Sequence, residues 1–159
     1  MKKMILLLVV LFTFSCKEPQ KNKESNQIKY LKGLVDLNNK PFDTSSLEGR
    51  RVVLNYWATW CNPCKEEMPS LLESQKALAK ENYVFVLVSD ETIEEISDFK
   101  KNSKYDFLFL KSKKTLLSQG IYALPTTYVY NNKGNKVDEI IGVKDWSSQK
   151  MLDKLKRVK

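Results

Sequence analysis

A strand-forming run that leads directly into two closely spaced cysteines most constrains the fold of this chain. Residues 51–57 are mainly β-branched and aromatic, which is typical of a central strand. Beyond Cys61 and Cys64, apolar residues recur at intervals close to the helical period, namely Met68, Leu71, Leu72, Leu78 and Ala79. The sequence therefore predicts a strand that ends just before Cys61 and a helix over residues 63–80, with both thiols at the junction.

The spacing of Cys61 and Cys64 permits a redox-active disulfide. Cysteines at positions i and i+3 on the first turn of a helix share one face, so a disulfide can close between them without backbone movement. The helix N-terminus favours an anion and lowers the pKa of a thiol placed there. Cys61 is therefore predicted to be the nucleophile. Cys64, one turn inside the helix, is placed to attack the resulting mixed disulfide and release the product.

Two other uses of the cysteine pair compete with a redox role. A purely structural disulfide would suit an oxidising compartment, although so short a loop removes little chain entropy and stabilises weakly. A structural zinc site needs four ligands. The chain contains no histidine and only one further cysteine, Cys16. We therefore expect no metal and no other cofactor.

The remaining pattern predicts an α/β fold, a mixed central sheet flanked by helices on both faces. The expected strands are a leading β-hairpin around residues 38–41, single strands at 51–57, 83–88 and 107–110, and a second hairpin of residues 126–130 and 137–141. The expected helices cover residues 63–80 and 93–101 and the C-terminus, where Trp146, Met151, Leu152 and Leu155 are spaced for one face.

The N-terminus is predicted to be an export address. Lys2 and Lys3 precede a short apolar stretch that ends at Ser15. Such a stretch is typical of a signal peptide and is too short for an ordinary membrane span, although a buried N-terminal helix or strand is the alternative. Residues 16–29 are poor in apolar side chains and are predicted to form a flexible tether. The expected organisation is thus a signal peptide over residues 1–15, the tether, and one domain over residues 30–159.

Cys16 follows the apolar stretch directly, which resembles the lipobox of bacterial lipoproteins. In such proteins the cysteine is acylated and becomes the new N-terminus. Ser15 suits the position before the cysteine, whereas Thr13 stands where that family usually has leucine. Each buried CH₂ of an acyl chain contributes about 0.8 kcal/mol, so several chains hold a domain firmly on a bilayer. The resemblance implies lipidation at Cys16, with an uncleaved anchor helix or plain secretion as alternatives.

Composition excludes several functional classes. The complete absence of histidine removes imidazole as a general base, metal ligand or haem ligand. The formal charge of +8 falls to +6 when residues 1–15 are removed with Lys2 and Lys3, and the remaining lysines are scattered along the chain. Scattered lysines are not the clustered footprint of a phosphate-binding surface, so no nucleic-acid partner is expected.

The segment from Trp57 to Pro69 reads Trp-Ala-Thr-Trp-Cys-Asn-Pro-Cys-Lys-Glu-Glu-Met-Pro. It resembles the active-site signature of membrane-tethered thioredoxin-like proteins of the TlpA and ResA group. The resemblance extends more weakly over residues 31–159, because the hairpins, the Leu124-Pro125-Thr126 segment and the final helix occur in the family's order. It implies a thioredoxin-like fold with an extra N-terminal β-hairpin, in a lipoprotein form.

The resemblance also implies roles for individual residues. It makes Cys61 the attacking thiol and Cys64 the resolving thiol. It makes Pro125 a cis-proline that faces the cysteine pair, with the backbone of Leu124 free to pair with an extended substrate segment. Without the resemblance, Pro125 could equally be an ordinary strand-edge proline. The remaining matches are Trp60 and Gly142, which correspond to the substrate-facing rim of the family.

Glu67 lies one helical turn beyond Cys64, so its carboxyl is expected near the buried end of the pair. In the ResA-like branch a glutamate at this position tunes thiol pKa values and passes protons, and the resemblance implies the same for Glu67. Asn55 stands where ordinary thioredoxins have a buried aspartate, which leaves Glu67 as the nearest candidate acid and base. The alternative is that Glu67, like Glu66, is a solvated helix residue.

The predicted function is that of an enzyme, a membrane-tethered thiol-disulfide oxidoreductase. It would reduce disulfides of extracytoplasmic proteins, with apocytochrome c as a candidate client. The expected partners are a disulfide-containing envelope protein, a membrane electron-donor protein and the bilayer through the N-terminal anchor. We expect a monomer in the bacterial cell envelope, facing the periplasm or the exterior.

Two other functional classes compete with this prediction. A thiol peroxidase of related fold uses a reactive cysteine with nearby Thr and Arg, but the Pro-x-x-x-Thr-x-x-Cys arrangement of peroxiredoxins does not occur here. A copper-chaperone-like binding module of the same fold would need a histidine, which this chain lacks.

Overall fold

The computed structural model describes residue 31 and residues 33–159. In this part of the chain a six-stranded mixed sheet forms the centre of the fold. The strands are β1 Leu34–Val35, β2 Arg51–Tyr56, β3 Tyr83–Ser89, β4 Leu108–Ser112, β5 Thr126–Tyr130 and β6 Lys136–Ile141. The helices are α1 Asn62–Ala77, α2 Ile93–Lys101 and α3 Gln149–Lys156, with short 3-10 helices at Thr44–Leu47 and Leu117–Gln119.

The sheet order is β1-β4-β3-β2-β5-β6. Strand β3 pairs in parallel with β2 and with β4, whereas β5 is antiparallel to β2, β6 to β5 and β1 to β4. Because β2 and β3 are parallel, the segments that follow their carboxyl ends meet at one edge of the sheet. Cys61 and Asp90 lie on these two segments, and this edge carries the candidate site.

Two hydrophobic clusters cover the two faces of the sheet. Alternate residues of a strand point to opposite faces, so Val53 belongs to one cluster and Leu54 to the other. The first cluster receives buried residues of the three helices named above, Met68 and Leu71 from α1, Ile96 from α2 and Leu155 from α3. The second face is instead covered by the residues Leu31, Leu47, Leu116 and Ile121. The helices α1, α2 and α3 therefore pack on one face, and the 3-10 helix Thr44–Leu47 contributes Leu47 to the other.

The predicted α/β fold with a mixed sheet is confirmed. Strand β5 begins and ends where the sequence predicted, and α1 ends at Ala77 rather than at residue 80. The leading hairpin is smaller than expected, since its return limb makes a single antiparallel bridge between Val35 and Pro41. Proline has no N–H to donate, which weakens any further pairing at that point. Strand β1 pairs with β4 instead.

The predicted signal peptide at residues 1–15, the tether at residues 16–29 and the lipidation site Cys16 lie outside the described residues and stay predictions. Across residue 31 and residues 33–159, no helix combines the length and the apolar character needed to cross a bilayer.

Candidate active site

Cys61 and Cys64 are joined by a disulfide at the amino end of α1. Their Cα atoms lie 5.3 Å apart, which is ordinary for a disulfide. Cys61 is the N-cap residue of the helix, and its Sγ accepts a hydrogen bond from the Cys64 N–H at 3.2 Å. Pro63 suits the first helical turn, because backbone N–H groups at that position have no partner within the helix and the one that proline lacks is not needed. Both cysteines are buried, Cys61 at 4% exposure and Cys64 at 1%.

The turn that carries Cys61 is fixed on its upstream side by a buried tryptophan. The Trp57 N–H donates to the Val88 carbonyl at 3.1 Å, which continues the pairing of β2 with β3 by one residue. The Trp57 ring is fully buried against Phe99, with ring centroids 4.6 Å apart. The Cys61 N–H then donates to the Ala58 carbonyl at 3.1 Å and closes the turn. The strand, the packed ring and the closed turn together set the position of Cys61.

Glu67 is a buried carboxyl that accepts three hydrogen bonds. It is 1% exposed on α1, whereas Glu66 is exposed. Oε1 accepts from Asn55 Nδ2 at 2.7 Å, and Oε2 accepts from Trp146 Nε1 at 3.0 Å and from the Lys144 N–H at 3.2 Å. Burial raises the pKa of Glu67 above its ordinary value, and the hydrogen bonds from Trp146, Lys144 and Asn55 oppose this rise without cancelling it. The alternative of a solvated Glu67 is therefore wrong.

The donors to Glu67 come from distant parts of the chain. Asn55 lies on β2 and also donates to Thr127 Oγ1 on β5 at 2.8 Å. Trp146 precedes α3 and its ring is fully buried. The sequence assigned Trp146 only to an apolar helix face and missed this role. A buried indole N–H usually finds an acceptor, and that tendency was the available signal.

The Leu124–Pro125 peptide bond is cis, as the resemblance implied. Pro125 is buried at the start of β5, and its carbonyl accepts from the Gly142 N–H at 2.8 Å. Gly142 has a φ of +79°, in the left-handed region that favours glycine. The residues that line the cleft beside the disulfide include Leu124 but neither Pro125 nor Gly142. The substrate-contact roles of Gly142 and Pro125 stay predictions.

A cleft of about 560 Å³ opens beside the disulfide. Its lining residues are Trp60, Cys61, Asn62, Pro63, Asp90, Leu116, Leu117, Ile121, Tyr122, Ala123 and Leu124. Large apolar side chains remain exposed here, Trp60 at 71%, Leu117 at 66% and Tyr122 at 82%. Exposed apolar patches of this kind mark interaction sites.

Trp60, Cys61 and Leu124 all line the cleft, and the substrate-contact roles of Trp60 and Leu124 stay predictions. Leu117 and Tyr122 were missed by the sequence analysis. Their segment has no helical or strand period, and the available signal was a cluster of apolar residues shortly before Pro125. Across the described part of the chain, no group of three or more His, Cys, Asp and Glu side chains is arranged to hold a metal ion.

Residues 23–139 of this chain match the AhpC/TSA family. Thiol-disulfide oxidoreductase ResA from Bacillus thuringiensis subsp. konkukian is 30% identical over an alignment of 130 residues, and the match covers 79% of this chain and 73% of that protein. The ResA protein of Bacillus anthracis is 33% identical over 112 residues, 69% of this chain, and the match spans 65% of its length.

The crystal structure of StoA from Bacillus subtilis superposes with a TM-score of 0.55 at 27% identity, covering 69% of this chain and 81% of that one. The fold, the disulfide at the start of α1 and the sequence matches agree with one another. The chain therefore belongs to the AhpC/TSA family, among the thioredoxin-like proteins that are similar to the ResA thiol-disulfide oxidoreductases.

Proposed function

We propose that this protein is a thiol-disulfide oxidoreductase that reduces disulfides of extracytoplasmic polypeptides. The observation that carries the proposal is the Cys61–Cys64 disulfide at the N-terminus of α1, at the side of an exposed apolar cleft. The disulfide links residues of one helical turn, so it can open and close without rearrangement of the sheet. The relatives named as thiol-disulfide oxidoreductases support the same reaction class.

The reaction is a balanced dithiol–disulfide exchange. In the reduced enzyme the Cys61 thiolate attacks one sulfur of the client disulfide, which forms a Cys61–client bond and releases a client thiolate. The Cys64 thiolate then attacks the Cys61 sulfur, which forms the Cys61–Cys64 disulfide and releases the second client thiolate. Each client disulfide takes up two electrons and two protons, and one enzyme dithiol becomes a disulfide.

Cys61 has the geometry of the attacking thiol. It is the N-cap of α1 and more accessible than Cys64. An anion at this position is stabilised by the helix dipole and by the Cys64 N–H that already points at its Sγ. Cys64 is 1% exposed, does not line the cleft and lies in bonding distance of Cys61, which is the arrangement that a resolving thiol requires.

Glu67 is assigned the proton transfers of this cycle. Its raised pKa keeps a proton on the carboxyl at pH values where a solvated glutamate has lost it. Glu67 lies on the same face of α1 as Cys64, three residues further along the helix. It is therefore placed to exchange a proton with the pair when Cys64 changes between thiol and disulfide.

The client is an extended polypeptide with apolar side chains near its disulfide. Trp60 and Tyr122 supply exposed aromatic surface at the cleft, and aromatic residues provide much of the binding energy at protein interfaces. Leu124 lies at the cleft beside Cys61, where its backbone can pair with a client strand.

The proposed cellular setting is the bacterial envelope. The signal-like N-terminus and Cys16 support export and lipid anchoring, with residues 16–29 as tether and residues 30–159 as a monomeric domain. A membrane electron-donor protein would return Cys61 and Cys64 to the dithiol, and apocytochrome c is a candidate client. The two other functional classes receive no support from the site, since the Thr59 hydroxyl is engaged by Glu91 at 2.6 Å and the sequence holds no histidine for copper.

The proposal is tested by insulin reduction with dithiothreitol as the electron source. The full-length wild type should accelerate precipitation of the insulin B chain, and Cys61→Ser should abolish the acceleration. Cys16→Ala is the matched control, because it also removes a thiol but should keep full activity. Full activity of Cys61→Ser would overturn the proposal.

A further inference from the structure

Two adjacent acidic residues follow β3 at the sheet edge that carries the disulfide. Glu91 accepts three hydrogen bonds through its carboxylate. Oε1 accepts from Thr59 Oγ1 at 2.6 Å, and Oε2 accepts from the Thr59 N–H at 2.7 Å. Oε2 also accepts from Ser89 Oγ at 2.9 Å. Thr59 lies inside the Ala58–Cys61 turn, so Glu91 is hydrogen-bonded to the turn that carries the nucleophile.

Asp90 is hydrogen-bonded to a different segment, residues 116–124. Its Oδ2 accepts from the Leu116 N–H at 2.8 Å, where the chain enters the segment 116–124. The backbone between the two acidic residues is itself fixed by Lys111 on β4, whose Nζ donates to the Asp90 carbonyl at 3.0 Å and to the Glu91 carbonyl at 2.6 Å. Lys111 therefore holds the backbone from which both acidic side chains extend.

The two segments that Glu91 and Asp90 hold are the Cys61 turn and residues 116–124, and both contribute to the lining of the cleft. Residues 60–63 line the cleft from the Cys61 turn, and Leu116, Leu117 and residues 121–124 line it from the segment 116–124; Asp90 also belongs to the lining. Hydrogen bonds to an ionised carboxylate are roughly twice as strong as neutral ones. Disulfide exchange requires an aligned approach of the reacting sulfurs, and a misplacement of about 1 Å can cost about a hundredfold in rate.

We propose that Asp90 and Glu91 form a bracket that sets the position of the Cys61 turn relative to the client-binding wall at residues 116–124. This inference rests on the proposed function. Both are positioning residues, since Glu91 acts on Cys61 through Thr59 and Asp90 acts on the client through Leu116. In this bracket, turnover depends on Glu91 and client binding depends on Asp90.

The two arms predict different kinetic effects with a peptide disulfide as substrate. Glu91→Ala frees the Cys61 turn and should lower kcat about tenfold with little change in KM. Asp90→Ala loosens the segment 116–124 and should raise KM about tenfold with little change in kcat. A role in stability alone would not divide kcat from KM in this way.

Conservative and control variants separate hydrogen bonding from charge. Glu91→Gln keeps a carbonyl oxygen for the Thr59 N–H and offers an amide N–H to the Thr59 hydroxyl, so it should restore kcat to within about threefold of wild type. Glu94→Ala removes an exposed glutamate from the first turn of α2 and should leave kcat and KM unchanged. If Glu91→Gln were as slow as Glu91→Ala, hydrogen bonding would not be the cause and the bracket would be wrong.

A second readout does not require activity. Alkylation of Cys61 by iodoacetamide in the fully reduced full-length protein, followed by mass spectrometry across a pH series, reports the reactivity of the thiol. Glu91→Ala should change this pH profile and Glu94→Ala should not. Identical profiles and identical kcat values for the two variants would overturn the bracket. If wild type failed to reduce any disulfide while the profiles differed, the proposed function would fail and the bracket would stand.

Thr59→Val covers the case in which Glu91→Ala does not fold. It removes only the hydroxyl arm and keeps the Thr59 N–H, so kcat should fall by a smaller factor and the alkylation profile should shift in the same direction. Thr59→Val with the kcat and the profile of wild type would then overturn the bracket.

Discussion

Replacement of Glu67 by alanine is expected to destabilise the oxidised protein by about 3 kcal/mol at acid pH. The largest contribution is the Trp146 Nε1–H, which is fully buried and would lose its acceptor at a cost of about 1–3 kcal/mol. Asn55 keeps its bond to Thr127, and the part-buried Lys144 N–H can turn to water, so both contribute less. The cavity left by the side chain supplies the rest.

The same cost should shrink as the pH rises. Burial raises the folded-state pKa of Glu67 above its unfolded value, so the folded state holds this proton more tightly. The stability that wild type gains from the group is therefore fully present below the unfolded pKa, about 4.3, and is lost as the pH rises through the folded pKa. The loss proceeds at no more than about 1.4 kcal/mol per pH unit.

Urea unfolding followed by circular dichroism over a pH series measures both effects without relying on the fluorescence of Trp146. Glu67→Gln should retain an acceptor for the Trp146 indole N–H. Its free energy of unfolding should rise relative to that of wild type as the pH rises, because glutamine has no charge to bury. Glu66→Ala, on the same helix turn but exposed, is the control and should cost no more than about 0.5 kcal/mol. An equal cost for Glu66→Ala and Glu67→Ala, or a Glu67→Ala cost that grows with pH, would refute the reasoning.

Three further predictions address the cleft, one helix cap and the anchor. Tyr122→Ala should raise KM for a peptide disulfide about tenfold in steady-state assays, because it removes exposed aromatic surface. The control Val137→Ala, at an exposed position on β6, should leave KM unchanged. Equal KM values for the two variants would contradict client binding at the cleft. Thr92→Ala should lower the free energy of unfolding by about 1 kcal/mol in urea, since it breaks the capping box with Glu95. A change below about 0.3 kcal/mol would contradict this. Cys16→Ala should move the protein from the membrane to the soluble fraction, and unchanged fractionation would argue against lipidation.

Local patterns were sufficient to predict most of the secondary structure. The helix at Ile93–Lys101 was predicted from apolar residues at every third position, and the structure adds a reciprocal cap between Thr92 and Glu95. Strand β5 follows from a β-branched and aromatic run between a proline and an Asn-rich turn. Both signals lie within a few residues of the element that they specify.

The surroundings of Glu67 could not be predicted in the same way. Trp146 is separated from Glu67 by 79 positions and Asn55 by 12, and no periodicity links residues so far apart in the chain. The resemblance supplied the role of Glu67 but not its partners. Only the packing of α1 against the loop before α3 brings the indole and the carboxyl together.

The cleft was only half predicted for a related reason. Trp60 is adjacent to Cys61, so its place follows from the sequence. Leu117 and Tyr122 belong to an irregular segment with a single short 3-10 helix, whose position is set by tertiary contacts such as the Asp90–Leu116 hydrogen bond. Short 3-10 helices leave too little periodic pattern to be read from a sequence.

Trapping of the mixed disulfide tests the central claim most directly. Full-length Cys64→Ser, reduced and then mixed with a peptide disulfide, should accumulate a stable adduct that mass spectrometry maps to Cys61. Cys61→Ser should accumulate none at Cys64, which is 1% exposed. An adduct at Cys64 in Cys61→Ser as abundant as the adduct at Cys61 in Cys64→Ser, or no adduct at Cys61, would contradict the assignment of Cys61 as nucleophile and Cys64 as resolving thiol.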